Sequence, residues 1–334
     1  MMDLPKPARA PAGDSRSPTL RKRRAWAATP LLRFAFLAAA LVFMLLALRS
    51  QWDAVKHYRL ALSVWPLLAS FGALFLAWLL EISLWRRLLA ALGYGLPLSR
   101  SASIWFLSNL VRYIPGNIWQ FLSMTELGAH SGLPRSVTLA SVVLHQVFSN
   151  LAGLTVGAYA ISYSGILKPS ISASSPYLSV ASLSLVALLL LSPVVLPRVL
   201  RIVSKLVRVE LPQPNLSLVT IIALFTAYCF YWLLCGAGFW LLSLAVGAVP
   251  APPLLAWVSA FAAAYVIGYL SLLTPSGLGV REGALALLLA RFAGGSPVVV
   301  VALAARIWIS LGELAATAVA AAADRRLLAY VKGR

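Results

Sequence analysis

An all-α, polytopic membrane protein is the fold class this sequence predicts, and three observations predict it. Apolar residues make up 61% of the 334 and charged residues 11%, against about 45–50% and about 25% in soluble domains. Mean hydropathy is +0.87. The apolar residues gather in long blocks at 31–48, 65–85, 101–128, 137–163, 177–197, 217–246, 254–293 and 298–323. Roughly 20 such residues cross a bilayer. No segment between blocks has room for a soluble catalytic domain, so any chemistry or transport is expected within the membrane.

Taken in order, residues 1–30 are rich in Pro, Ala, Ser and Arg and predict a disordered basic arm. The block 31–48 is followed by Arg49-Ser50-Gln51 rather than a small-x-small cleavage site, so it is read as a first span and not a removable signal. Residues 31–324 form the membrane domain, and 325–334 a basic tail. The net charge of +19 does not argue for nucleic acid, because most of the charges lie between apolar blocks. The clusters are Arg21/Lys22/Arg23/Arg24, Arg86/Arg87/Arg100, Arg198/Arg201/Lys205/Arg208 and Arg325/Arg326/Lys332/Arg334, the pattern of loops facing an anionic cytoplasmic leaflet.

Two blocks are interrupted by helix breakers. Block 101–128 contains Arg112-Tyr113-Ile114-Pro115-Gly116-Asn117, and block 254–293 contains Thr274-Pro275-Ser276-Gly277-Leu278-Gly279. Proline and clustered glycine break the helix there, and the freed backbone must be shielded by protein or water. Each interrupted block follows a long apolar block and precedes a turn, Gly132-Leu133-Pro134 or Gly295-Ser296-Pro297. The matched prolines are offset by 160 residues (115 to 275) and 163 (134 to 297). A duplication over about 65–163 and 217–323 accounts for this.

If both interrupted blocks are re-entrant hairpins, six full spans remain: 31–48, 65–85, 137–163, 177–197, 217–246 and 298–323. Every basic cluster then falls on the inside, and both termini are cytoplasmic, as in the cell membrane. The two halves have inverted topology, an arrangement used by many transporters. Hairpins that cross fully would raise the span count to as many as ten without reorienting the termini.

Charge inside a span is costly, about 2.5–3.5 kcal/mol at the centre, so charges retained there are candidates for function. They are Glu81, Arg112, Glu126, Arg281, Glu282, Arg291, Arg306 and Glu313. Glu81 is read as pairing with Arg86 near a helix end, and Arg291 as interfacial. At each breaker a half-helix begins, at Asn117 and at Gly279, and a helix N-terminus attracts anions. Arg112 and Arg281 stand beside these tips, and Gly116, Gly277 and Gly279 admit a close-approaching group. Together they predict a phosphate site. Arg306 and Glu313, seven residues apart on the last helix, would face the second tip, and Glu282 could cap its own half-helix. Tyr113, Trp119, Gln120 and Asn150 would line the first half. The plainer reading is that the breakers only shape the hairpins and the arginines pair with Glu126, Glu282 or Glu313.

Cys229 and Cys235 share one block, and His57, His130 and His145 are widely separated. No metal-ligand spacing and no G-x-x-x-x-G-K-[ST] run is present. No cofactor is expected.

The runs Tyr113-Ile114-Pro115-Gly116-Asn117-Ile118-Trp119-Gln120 and Pro275-Ser276-Gly277-Leu278-Gly279-Val280-Arg281-Glu282-Gly283 resemble the two signatures of the lysylphosphatidylglycerol synthase transmembrane family. Arg306 at its usual distance strengthens the likeness, which covers nearly the whole chain after residue 30. The resemblance implies a flippase-like protein. In the best-known members this region moves an aminoacylated phospholipid between leaflets, while a separate soluble domain makes it. That domain is not found here. Relatives also accompany hopanoid and polyprenyl-linked glycan pathways. Where members often carry an acidic–basic pair after the first hairpin, this chain has His145-Gln146 and Ser149-Asn150.

The expected function is translocation of an anionic, phosphate-bearing lipid, either a phospholipid or a polyprenyl-phosphate-linked precursor, without ATP. The competing readings are an accessory membrane subunit partnered by a separate biosynthetic enzyme, and an intramembrane transferase. The last is disfavoured because the nine acids are scattered, with no D-x-D grouping.

Overall fold

The computed structural model describes residues 62–109, 118–163, 176–247, 249, 253–271, 277, 279–290, 292–293 and 295–324. The predicted arm, the first span at 31–48 and the tail at 325–334 lie outside these residues. The helices are α1 (Val64–Ala91), α2 (Leu98–Asn109), α3 (Ile118–His130), α4 (Arg135–Tyr163), α5 (Pro176–Leu190), α6 (Leu196–Val207), α7 (Leu218–Val246), α8 (Leu254–Leu270), α9 (Val280–Leu289) and α10 (Gly295–Ala323). Among the described residues there is no strand.

Four helices, α1, α4, α7 and α10, carry apolar stretches of 27–29 residues, long enough to cross a membrane. At 1.5 Å per residue each rises about 40 Å, more than the roughly 30 Å of hydrocarbon. The chemistry of their ends explains their length. In α7, the Ser217 side chain accepts from the Thr220 N–H at 3.2 Å, and Gly247 closes the C-terminus at φ 67°, where a side chain would strain the backbone.

Sequence and structure differ at the block 177–197. Its helix α5 ends at Leu190, after 15 residues, and the chain turns through Pro193, which has no N–H to continue the ladder. It restarts as α6 with Pro197 in the first turn, where a missing N–H costs nothing. The two interrupted blocks do divide into short helices, α2 with α3 and α8 with α9, each pair packed against its own partner. At 12 and 13 residues, α2 and α3 rise only about 18–20 Å.

Packing in the two halves corresponds element by element. With α1–α4 matched to α7–α10, the contact of α4 with α8 mirrors that of α10 with α2. In the same way α1–α2 mirrors α7–α8, α3–α4 mirrors α9–α10, and α1–α4 mirrors α7–α10. The centre of this arrangement is α1 against α7, tied at both ends by backbone hydrogen bonds: Ser63 N to Ala245 O at 2.8 Å and Asn215 N to Ala91 O at 3.0 Å. The start of each helix meets the end of the other, so these matched helices run antiparallel. The two bonds are themselves mates, offset by 152 residues (63 to 215) and 154 (91 to 245).

Small residues bring the helices together, as is usual where lipid supplies no hydrophobic drive between spans. A Cβ on Gly157 of α4 would lie 2.7 Å from the Ala263 Cβ on α8, and one on Gly236 of α7 would lie 2.6 Å from the Val258 Cα on α8. The mate of the first crossing is α2 on α10, where the Ser103 hydroxyl donates to Ala320 O at 2.9 Å. Trp85, Trp257, Trp308, Tyr228, Phe148 and Phe261 are among the large side chains fully buried between the helices.

The described basic residues outside the interior collect at one end of the bundle. Arg86 and Arg87 lie near the C-terminus of α1, with Arg86 Nε donating to Leu96 O at 2.9 Å. Arg100 pairs with Asp324 at the C-terminal end of α10. Arg135 pairs with Glu126 at 3.1 Å, and α6 precedes the N-terminus of α7.

Candidate functional site

An open cavity of about 70 Å³ lies between the halves, lined by side chains from seven helices, with room for roughly five waters. Trp78 and Glu81 enter from α1, Trp105 and Asn109 from α2, and Gln120 from α3. His145, Gln146, Ser149 and Asn150 come from α4, Tyr231 and Trp232 from α7, Tyr265, Gly268 and Tyr269 from α8, and Arg281 from α9. Both hairpins and both halves therefore contribute.

Arg281 sits in the first turn of α9 and is buried at 7% exposure. Its guanidinium carbon lies 4.8 Å from the Phe261 ring centre and 4.5 Å from that of Tyr265. Each ring face attracts the cation, more strongly where water is excluded. Its position is set by two glycines. Gly277 adopts φ 68°, and a Cβ there would fall 2.7 Å from Gly268 O. In turn, a Cβ on Gly268 would meet the Arg281 Cβ at 3.0 Å. The entry to α9 can approach α8 only because both residues lack side chains.

Glu282 caps α9. Its Oε2 accepts from the Gly279 N–H at 2.7 Å, while its Oε1 accepts from Arg306 Nε at 2.9 Å. The carboxylate thus complements the positive end of the helix and an arginine of α10 together.

Also on the cavity wall, His145 Nε2 lies 3.5 Å from Glu81 Oε1. The other ring nitrogen, Nδ1, shares a hydrogen bond with the Tyr228 hydroxyl at 2.8 Å. The Trp105 ring stands edge-on to the imidazole at 4.8 Å. The polar lining is ordered by further bonds: Gln120 Nε2 to Asn109 Oδ1 at 2.6 Å, Asn150 Nδ2 to Gln146 O at 2.7 Å, and Trp232 Nε1 to Ser149 O at 2.7 Å.

Of the residues the sequence singled out, Arg281, Gln120 and Asn150 line the cavity. Gly277 and Gly279 shape the entry to α9, and Glu282 caps it. Arg306 is drawn to Glu282 rather than lining the cavity. Glu313 lines a smaller adjoining space with Cys235, Phe261 and Ile309, behind a wall of Trp78, Tyr231, Trp232 and Tyr265 that both cavities share. Trp119 is 37% exposed and is not among the lining residues. Arg112, Tyr113, Pro115, Gly116, Asn117, Pro275 and Arg291 lie outside the described residues.

Glu81 is a correction. It does not pair with Arg86, whose Nε turns to Leu96 O, but faces inward to His145. Among the described residues, no group of three His, Cys, Asp or Glu could hold a metal ion.

Four membrane-length helices, paired short helices and a polar cavity buried among them define a multi-pass helical membrane protein. The family model described as the lysylphosphatidylglycerol synthase TM region matches residues 31–311, and the chain belongs to that family of membrane-lipid-related proteins. No curated protein matches the chain.

Proposed function

We propose that this protein moves a phosphate-bearing lipid between leaflets, with the headgroup passing through the cavity between the halves. The observation that carries this reading is Arg281: a buried cation in the first turn of a half-helix, set against two aromatic rings, at the wall of a polar cavity. A phosphate there would meet the guanidinium and the positive end of α9 together. The Glu81 and His145 end would receive hydrogen-bond donors of the same headgroup. The cavity holds little more than a phosphate, so α2–α3 and α8–α9 must part to pass a lipid. Glu282 keeps the N-terminus of α9 satisfied while no lipid is bound.

Cargo of this class includes anionic phospholipids and polyprenyl-phosphate-linked lipids. The basic end of the bundle faces the cytoplasm in this reading, with the protein in the cell membrane. The test is leaflet exchange of labelled phosphatidylglycerol and of a labelled polyprenyl phosphate, in vesicles holding the purified protein. The wild type is expected to accelerate exchange of one of them, Arg281→Ala to abolish the acceleration, and Arg281→Lys to retain part of it. Equal exchange by wild type and Arg281→Ala would remove Arg281 from the pathway. No exchange of either lipid would favour an accessory role beside a separate biosynthetic enzyme.

A further inference from the structure

We propose that α6 lies in the plane of the membrane interface and binds the anionic lipid headgroups of that leaflet. The argument begins with spacing. Arg198, Arg201 and Lys205 recur at intervals of three and four residues, so they share an arc of roughly 60° on a helix with 3.6 residues per turn, and Arg208 follows as the C-cap. The opposite arc carries Leu196, Val199, Leu200, Val203 and Val207, with Ile202 and Leu206 at its flank. Such a helix, polar on one side and apolar on the other, belongs at a boundary between water and hydrocarbon.

Burial divides the apolar arc in two. Leu196 and Leu200 are buried in the core and hold α6 to the bundle. Ile202 and Leu206 are 59% and 80% exposed among the described residues. The four basic residues are exposed as well. Arg198 Nη1 reaches Val194 O at 3.3 Å and Arg201 Nε reaches Pro197 O at 3.4 Å, which engages one donor from each guanidinium and leaves most of its five for headgroups. The acid closest in sequence, Glu210, lies beyond the helix end.

Position agrees with composition. α6 follows the break after α5 and leads within ten residues to the N-terminus of α7. That end of the bundle also gathers Arg86, Arg87 and Arg100. At the depth of the headgroups, Ile202 and Leu206 reach the upper acyl chains while the basic row meets phosphates. Each basic residue near an anionic surface favours binding about fivefold. Charge complementarity selects anionic lipid over zwitterionic lipid as the occupant. This surface is separate from the central cavity and does not depend on the transport reading.

The experiment uses the full chain reconstituted in phosphatidylcholine vesicles with and without phosphatidylglycerol. A fluorophore is placed at Ile202→Cys in a Cys229→Ala/Cys235→Ala background. Lipids with a quencher high on the acyl chain should quench it, and aqueous iodide should not. Phosphatidylglycerol retained through detergent purification should fall at least tenfold, relative to phosphatidylcholine, in Arg198→Gln/Arg201→Gln/Lys205→Gln. It should persist in Arg198→Lys/Arg201→Lys, which keeps the charge. Iodide quenching at position 202, or protection from both quenchers as a protein partner would give, overturns the proposal. So does unchanged lipid retention in the glutamine variant.

Discussion

Glu282 and Arg306 are joined across α9 and α10 by a 2.9 Å charge-assisted hydrogen bond, and the other oxygen of the same carboxylate caps Gly279. One acid therefore fixes the start of the half-helix that carries Arg281 and locks it to the last span. Arg306→Ala would leave a largely buried carboxylate without its guanidinium and cost about 2 kcal/mol or more. Glu282→Gln has one oxygen for two donors, Gly279 N–H and Arg306 Nε, and takes the carboxylate from a buried guanidinium, for an expected cost of about 2 kcal/mol as well. Unfolding midpoints in detergent should fall in both variants. An Arg306→Ala protein as stable as wild type would show the pair to be dispensable.

Gly277 and Gly279 separate backbone strain from steric exclusion. Both have positive φ, 68° and 83°, but only at Gly277 would a Cβ collide, 2.7 Å from Gly268 O, whereas nothing lies within 4 Å at Gly279. Gly279→Ala should therefore cost only the left-handed backbone term, about 1–2 kcal/mol. Gly277→Ala adds a backbone clash and should displace the start of α9 with Arg281. The check is leaflet exchange beside thermal unfolding. Equal loss in the two variants would place the constraint in backbone conformation alone.

His145 joins two polar partners of different helices, Glu81 at 3.5 Å and Tyr228 at 2.8 Å. His145→Leu takes a partner from a buried carboxylate and from a buried hydroxyl, for an expected loss of about 3 kcal/mol. Glu81→Gln/His145→Leu should recover part of that loss, because no carboxylate is then left facing the lost imidazole. A double variant no more stable than His145→Leu, in a thermodynamic cycle on detergent-solubilised protein, would show that Glu81 does not depend on the imidazole.

What the sequence made legible divides along one line. Breakers inside apolar blocks and the cost of intramembrane charge pointed to α9, to Arg281 and to the capping by Glu282, because those signals are local. The convergence of Glu81, His145, Tyr231 and Tyr265 is not local: each comes from a different helix, and only the packing of α1, α4, α7 and α8 brings them to one cavity. The inward turn of Glu81, away from Arg86, follows from helix geometry. Arg86 lies five residues on, roughly 140° around the helix, and so faces another way. Nothing in the sequence supplies His145 as the partner of Glu81. At 177–197 continuous apolarity predicts one span through Pro193, whereas α5 ends at Leu190.

The hydrogen bonds Ser63 to Ala245 and Asn215 to Ala91 place two pairs of residues at opposite ends of α1 and α7, and they test both the inverted arrangement and its orientation. Double-cysteine variants at 63 and 245, and at 91 and 215, in a Cys229→Ala/Cys235→Ala background, should each cross-link with a short thiol reagent. In intact cells, a membrane-impermeant thiol blocker should prevent cross-linking of the 63/245 pair and leave the 91/215 pair reactive. In inside-out vesicles the pattern should reverse, because the proposed orientation puts the 91/215 end, with Arg86, Arg87 and the basic row of α6, on the cytoplasmic side. The opposite pattern would keep the antiparallel pairing and reverse the orientation. Both pairs blocked from one side would contradict a membrane-spanning α1 antiparallel to α7, and with it the inverted relationship of the two halves.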